Sequence, residues 1–132
     1  MLPLKYAFYF EFSLLRKKNM IQIYHNPRCG KSRNCLSFLE ESKKEFEIIK
    51  YLEKTPLYEE LVSLIKKLNV QPIALVRVKE KIWIENFKNK QLSDEEIIQI
   101  LASNPILIER PIVIKGEKAI IGRVLDDVSA FI

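Results

Sequence analysis

Apolar and polar positions divide this chain into short elements. Ile-Gln-Ile-Tyr-His at 21–25 alternates with the period of a strand, and Asn26-Pro27 then forces a turn. Past Cys29-Gly30, Cys35, Leu36 and Leu39 share one helical face, while Glu40, Lys43 and Lys44 fall elsewhere. A second strand is expected over 47–51. Thr55-Pro56 reads as a helix start, with Thr as N-cap and Pro at the first helical position. Leu57, Leu61, Leu64, Ile65 and Leu68 continue that helix at spacings of three and four. Pro72 opens a short apolar helix through Val76, and a Lys-rich loop is expected around Trp83 and Phe87. Ser93-Asp94-Glu95-Glu96 is a capping box that opens a helix through Ile97, Ile98, Ile100 and Leu101, which Asn104-Pro105 stops. Residues 111–115 and 118–122 form a hairpin around Gly116-Glu117, and Leu125, Val128 and Phe131 mark a last amphipathic helix.

The order is therefore β-α-β, a helical segment, then β-β-α. Two strands joined through a helix pair in parallel with a right-handed crossover, and the hairpin adds antiparallel partners. The expected fold is α/β: a mixed four-stranded sheet with helices on its faces. It resembles a thioredoxin-like domain with a helical insertion between the second and third strands. Neither a repeat nor a linker is visible.

Composition narrows the picture. The 132 residues suit one domain, and 48% hydrophobic with 30% charged residues is a globular balance. No run of apolar residues is long enough to span a bilayer. The net charge of +5 invites a nucleic-acid reading, but it is unevenly spread. Residues 1–19 hold Lys5, Arg16, Lys17 and Lys18 against Glu11 alone, and they carry Tyr6, Phe8, Tyr9, Phe10 and Phe12. Their basic residues follow the apolar run and no small-residue cleavage site appears, unlike a signal peptide. Met20 is the expected natural start, 1–19 an extension outside the fold, and 20–132 the working domain. Neither a nucleic acid nor a membrane is an expected partner.

Cys29 lies between the end of a strand and the start of a helix, where unpaired N–H groups and the helix dipole favour an anion. A free thiol with pKa ~8.5 drops to roughly 3.5–7.5 in such settings. Gly30 lets backbone approach an anion, and Lys31, Ser32 and Arg33 place donors around it. Free cysteines are commonly buried and inert, but the polar flanks here disfavour burial. Cys35 reads as packing, beside Leu36 and Leu39. Six helical residues rise about 9 Å, whereas a disulfide needs Cα atoms within roughly 7 Å. No zinc or other metal site is suggested, and a free reactive thiol calls for a reducing compartment, the cytoplasm.

His25, the one histidine, is either structural or placed for proton exchange with the thiol. Lys outnumbers Arg 16 to 6, so each arginine is a candidate for planar, multi-donor recognition. Arg77, Arg110 and Arg123 fall at element ends. Each alone reads as a surface charge; together with the cysteine loop they suggest a tetrahedral oxyanion site.

His25-Asn26-Pro27-Arg28-Cys29-Gly30-Lys31-Ser32-Arg33-Asn34 resembles the active-site signature of glutaredoxin-coupled arsenate reductases. Asn104-Pro105-Ile106-Leu107-Ile108-Glu109-Arg110-Pro111-Ile112-Val113 resembles the second signature of that family, and Tyr51-Leu52-Glu53 with Pro56 a segment between them. The resemblance implies Cys29 as nucleophile, His25 as a group lowering its pKa, and Arg77, Arg110 and Arg123 as oxyanion ligands beside Gly30, Lys31 and Ser32. It also implies a cis peptide before Pro111. The implied reaction starts with attack of the Cys29 thiolate on arsenate; glutathione as co-substrate and glutaredoxin then complete reduction to arsenite. No tightly bound cofactor and a monomeric state are expected. Two other readings are an Spx-type regulator binding RNA polymerase and a thiol oxidoreductase of another substrate. The first normally carries Cys-x-x-Cys, where this chain has Cys29-Gly30-Lys31-Ser32.

Overall fold

The computed structural model describes residues 20–132; the expected extension, 1–19, lies outside the described residues. Strands β1 (Ile21–Tyr24), β2 (Phe46–Ile49), β3 (Ile112–Lys115) and β4 (Lys118–Ile121) form one sheet in the order β2-β1-β3-β4. β1 and β2 are parallel, with Ile23 opposite Ile48, and cross over through helix α1 (Gly30–Glu41). β3 runs antiparallel to both β1 and β4. Between β2 and β3 lie α2 (Tyr58–Leu68), a 3-10 turn at Pro72–Leu75, α3 (Lys81–Asn86), α4 (Asp94–Ser103) and a second 3-10 turn at Pro105–Leu107. Helix α5 (Leu125–Phe131) follows β4. The sequence-expected mixed sheet with a helical insertion is present.

The period-2 alternation of the strands builds two cores. Ile21, Ile23 and Val113 face Cys35 and Leu39 of α1 and Val128 of α5. On the other face Tyr24, Ile112, Ile114 and Ala119 join a larger cluster containing Leu61 and Leu64 of α2 and Ile97, Ile98 and Leu101 of α4. Each fully buried Leu or Ile contributes about 1.5–3 kcal/mol from apolar burial.

Several boundaries differ from the sequence expectation. α2 begins two residues late, with Leu57 as N-cap, because the Pro56 side chain is buried before the helix starts. Its first turn is stabilised by Glu59 and Glu60 at the positive end of the dipole, and the Glu60 carboxylate accepts from the Leu57 N–H at 3.4 Å. The expected Lys-rich loop contains helix α3. One side chain anchors it: Trp83 is 6% exposed, with its ring 5.6 Å from that of Phe87. Strand β2 spans Phe46–Ile49 rather than 47–51, since the chain turns where the N–H groups of Glu53 and Lys54 both donate to the Lys50 carbonyl. That turn carries Tyr51 off the sheet and into the core. The hairpin turns as expected, with Gly116 taking the positive φ of 61° that the tight connection needs. The Ser93 box is present, its hydroxyl accepting from the Glu96 N–H at 3.1 Å.

Candidate active site

The loop after β1 is tied to itself before α1 begins. The Cys29 N–H donates to the Asn26 carbonyl at 3.0 Å, and the Arg28 N–H donates to Asn26 Oδ1 at 3.0 Å, an Asx-type turn. Arg33 reaches back from α1 to the Pro27 carbonyl at 3.0 Å. Cys29 becomes the N-cap of α1, with extended backbone, and its part-exposed sulfur stands over the first turn. Burial pulls this thiol up, but the Ser32 N–H, the Arg110 charge, the Lys31 N–H and an Arg110 side-chain donor outweigh it and hold it below the ordinary thiol value. Lys31 and Ser32 thus serve the sulfur through their backbone. Gly30 is helical and exposed, and a Cβ there would meet nothing closer than Arg33 Nη2 at 3.7 Å. Its lack of a side chain is not required by the protein's own packing.

His25 is tied to the first turn of α1. Its Nδ1 lies 2.6 Å from Ser32 Oγ, which also accepts the Asn26 N–H at 3.0 Å. Both His25 and Ser32 are buried. Burial first, then the charges of Lys50 and Arg33, hold His25 below the usual histidine value, which favours the neutral ring. It braces the cysteine loop through Ser32. Cys35 is fully buried, its thiol pushed up to about 11 by burial alone, and both cysteines are free.

The three arginines converge. A cleft of about 530 Å³ is lined by Arg77, Arg110 and Arg123 together with Lys79, Glu80 and Glu109. Backbone pairing between two distant segments assembles it. Val76 and Ile108 form an isolated antiparallel bridge, the Arg77 N–H donates to the Leu107 carbonyl at 2.7 Å, and the Glu109 N–H donates to the Leu75 carbonyl at 2.8 Å. Arg110 follows directly and joins Pro111 through a cis peptide. The Gly122 N–H donates to the Pro111 carbonyl at 2.8 Å, which sets Arg123 beside Arg110. Arg77 Nη2 sits 2.6 Å from Glu80 Oε1 and its Nη1 donates to the Ile106 carbonyl at 3.2 Å. Arg110 also acts on the Cys29 sulfur, so one side chain joins the thiol to the cleft. Its Nε is buried without a hydrogen-bond partner.

Residues 24–131 match the ArsC family. The chain belongs to the ArsC family. An arsenate reductase of Neisseria meningitidis serogroup B is 39% identical over 112 residues, 83% of this chain and 96% of that protein. The uncharacterized Escherichia coli protein YfgD is 44% identical over 105 residues, 78% of this chain and 88% of its own. The structure of an arsenate reductase from Vibrio cholerae superposes with a TM-score of 0.81 at 40% identity, covering 86% of this chain and 98% of that one. These relationships fix the thioredoxin-like ArsC fold.

One buried side chain close to Arg110, Arg77 and Cys29 escaped the chemical reading of the sequence. Tyr51 is wholly buried, stacked on Tyr24 with ring centroids 5.9 Å apart, and its hydroxyl lacks a hydrogen-bond partner. Burial pushes it up to about 12, against the pull of Arg110, Arg77 and the nearby Asn26 side chain. The signal was its place in the Tyr-Leu-Glu segment, which reads equally well as strand. Among the described residues no group of His, Cys, Asp and Glu is arranged to hold a metal ion, and no helix is long and apolar enough to cross a membrane.

Proposed function

We propose that this ArsC-family chain is an arsenate reductase with Cys29 as its nucleophile. The observation that carries the reading is the junction at Arg110: one guanidinium favours the Cys29 thiolate and also lines the cleft shared with Arg77 and Arg123. A thiolate beside preorganised planar donors suits attack on a tetrahedral oxyanion, whose developing charge the arginines offset. The Cys29 sulfur forms a bond to arsenic and an arsenate oxygen leaves as water. His25 and Ser32 position the loop, and the Lys31 and Ser32 N–H groups face the sulfur.

Reduction of arsenate to arsenite takes two electrons, and the chain offers one accessible thiol. Cys35 is buried and stays protonated. The electrons must then come from outside. Glutathione attacks the Cys29–arsenate adduct and glutaredoxin supplies the second thiol, so that one arsenate and two external thiols give arsenite, one mixed disulfide and water. A cytoplasmic monomer without a tightly bound cofactor fits this chemistry. An Spx-type switch fits less well, because Ser32 stands where its second cysteine would be and its hydroxyl is spoken for by His25 and Asn26.

The test is arsenate-dependent NADPH oxidation with glutathione, glutaredoxin and glutathione reductase, comparing wild type with Cys29→Ser. Turnover lost in the variant is expected. A folded, reduced wild type without turnover rejects the assignment.

A further inference from the structure

The cleft that gathers the arginines also contains two carboxylates, and they differ. Glu80 is committed: its Oε1 lies 2.6 Å from Arg77. Glu109 is held by charge alone, with Oε1 3.7 Å from Arg110 Nη1 and Oε2 3.9 Å from Arg123 Nη1, both beyond hydrogen-bond length. Its backbone is fixed by the bond from its N–H to the Leu75 carbonyl. A part-buried carboxylate with unspent lone pairs therefore stands between two of the arginines that would grip an oxyanion.

Such a group treats tetrahedral oxyanions unequally. Arsenate and phosphate keep a proton at neutral pH and can donate an O–H to a carboxylate. Sulfate keeps none, so its oxygens meet the carboxylate as lone pair against lone pair and charge against charge. A polar group placed to accept a substrate hydroxyl rejects an analogue lacking it far more strongly than apolar contacts do. Resting on the oxyanion reading above, we propose that Glu109 is a specificity-determining residue, its carboxylate accepting the hydroxyl of a protonated tetrahedral oxyanion and excluding sulfate. The arginines supply the attraction common to all such anions; Glu109 sorts them by whether they carry a proton.

The experiment measures how much sodium arsenate or sodium sulfate is needed at neutral pH to slow iodoacetamide alkylation of Cys29 by half. Wild type should need at least about tenfold less arsenate than sulfate. Glu109→Gln, nearly isosteric and able to donate to sulfate, should erase most of that ratio. Glu109→Asp should keep the preference, and Glu80→Gln should leave it within about threefold. A ratio unchanged in Glu109→Gln, or changed equally by Glu80→Gln, overturns the assignment. Equal protection by both anions in a wild type that turns over arsenate overturns this inference and leaves the reductase reading standing. A wild type that prefers arsenate but does not reduce it does the reverse. Absence of protection by either anion overturns this inference, and the turnover assay alone decides the reductase reading.

Discussion

Ser32→Ala is the substitution whose consequence can be worked out most fully. The Ser32 hydroxyl is wholly buried and joins His25 Nδ1 at 2.6 Å to the Asn26 N–H at 3.0 Å. Alanine removes the hydroxyl that both partners share inside the protein. A stranded buried donor or acceptor costs about 1–3 kcal/mol. The pair therefore costs about 2–4 kcal/mol, the upper sum being trimmed because the vacated oxygen leaves room for partial rearrangement. In urea, where small domains lose about 1–3 kcal/mol per molar, the unfolding midpoint should fall by about 0.7–4 M. The N–H of residue 32 survives the change, so Cys29 should remain more readily alkylated than an ordinary thiol. Equilibrium unfolding followed by circular dichroism, with alkylation measured on the same samples, checks both. A midpoint within experimental error of wild type would refute the claim that this hydroxyl braces the loop.

Three further outcomes are expected. The pH profile of Cys29 alkylation, read by mass spectrometry, should have its midpoint below the ordinary thiol value, and Arg110→Gln should move it up; an unmoved midpoint removes Arg110 from the set of groups favouring the thiolate. Gly122→Ala should cost about 1–3 kcal/mol in unfolding experiments, because its Cβ would lie 3.1 Å from Val128, 3.2 Å from Val113 and 3.3 Å from Cys35 Sγ. His25 is held below the unfolded value of ~6.5. Its unfolded state takes up the proton first, so its contribution to stability is complete above that pH and is lost as the pH falls through the folded value. Urea midpoints measured from neutral to mildly acidic pH should show this decline in wild type and not in His25→Gln.

The parts of the fold legible in the sequence were those with strong local periodicity or unambiguous punctuation. The alternation at β1, the Ser93 box and the hairpin glycine each have a local cause, and each element stands where that cause puts it. The errors share another origin. Helix α3 is only 6 residues long and takes its definition from the burial of Trp83, a tertiary fact that a Lys-rich stretch conceals. Thr55-Pro56 carries a genuine helix-start pattern, but burial of the Pro56 side chain overrides it. At the site, arginine placement at element ends pointed to convergence. The pairing of Val76 with Ile108 that produces it joins segments with no sequence signal for one another. The inward turn of His25 toward Ser32 was equally hidden, since it depends on where α1 lies against the loop.

That pairing of Val76 with Ile108 has a thermodynamic consequence. Arg77, Arg110 and Arg123 are strangers in the unfolded chain and neighbours only in the native one, so an anion they hold in common binds the native state alone. Such an anion acts as a staple: at one hundred times its dissociation constant it adds about 2.7 kcal/mol to folding. The melting temperature in different sodium salts therefore ranks the anions this site prefers, before any of them has reacted. Under the function proposed above it would also make the survival of the protein a function of the anion pool around it, with substrate protecting the molecule that consumes it.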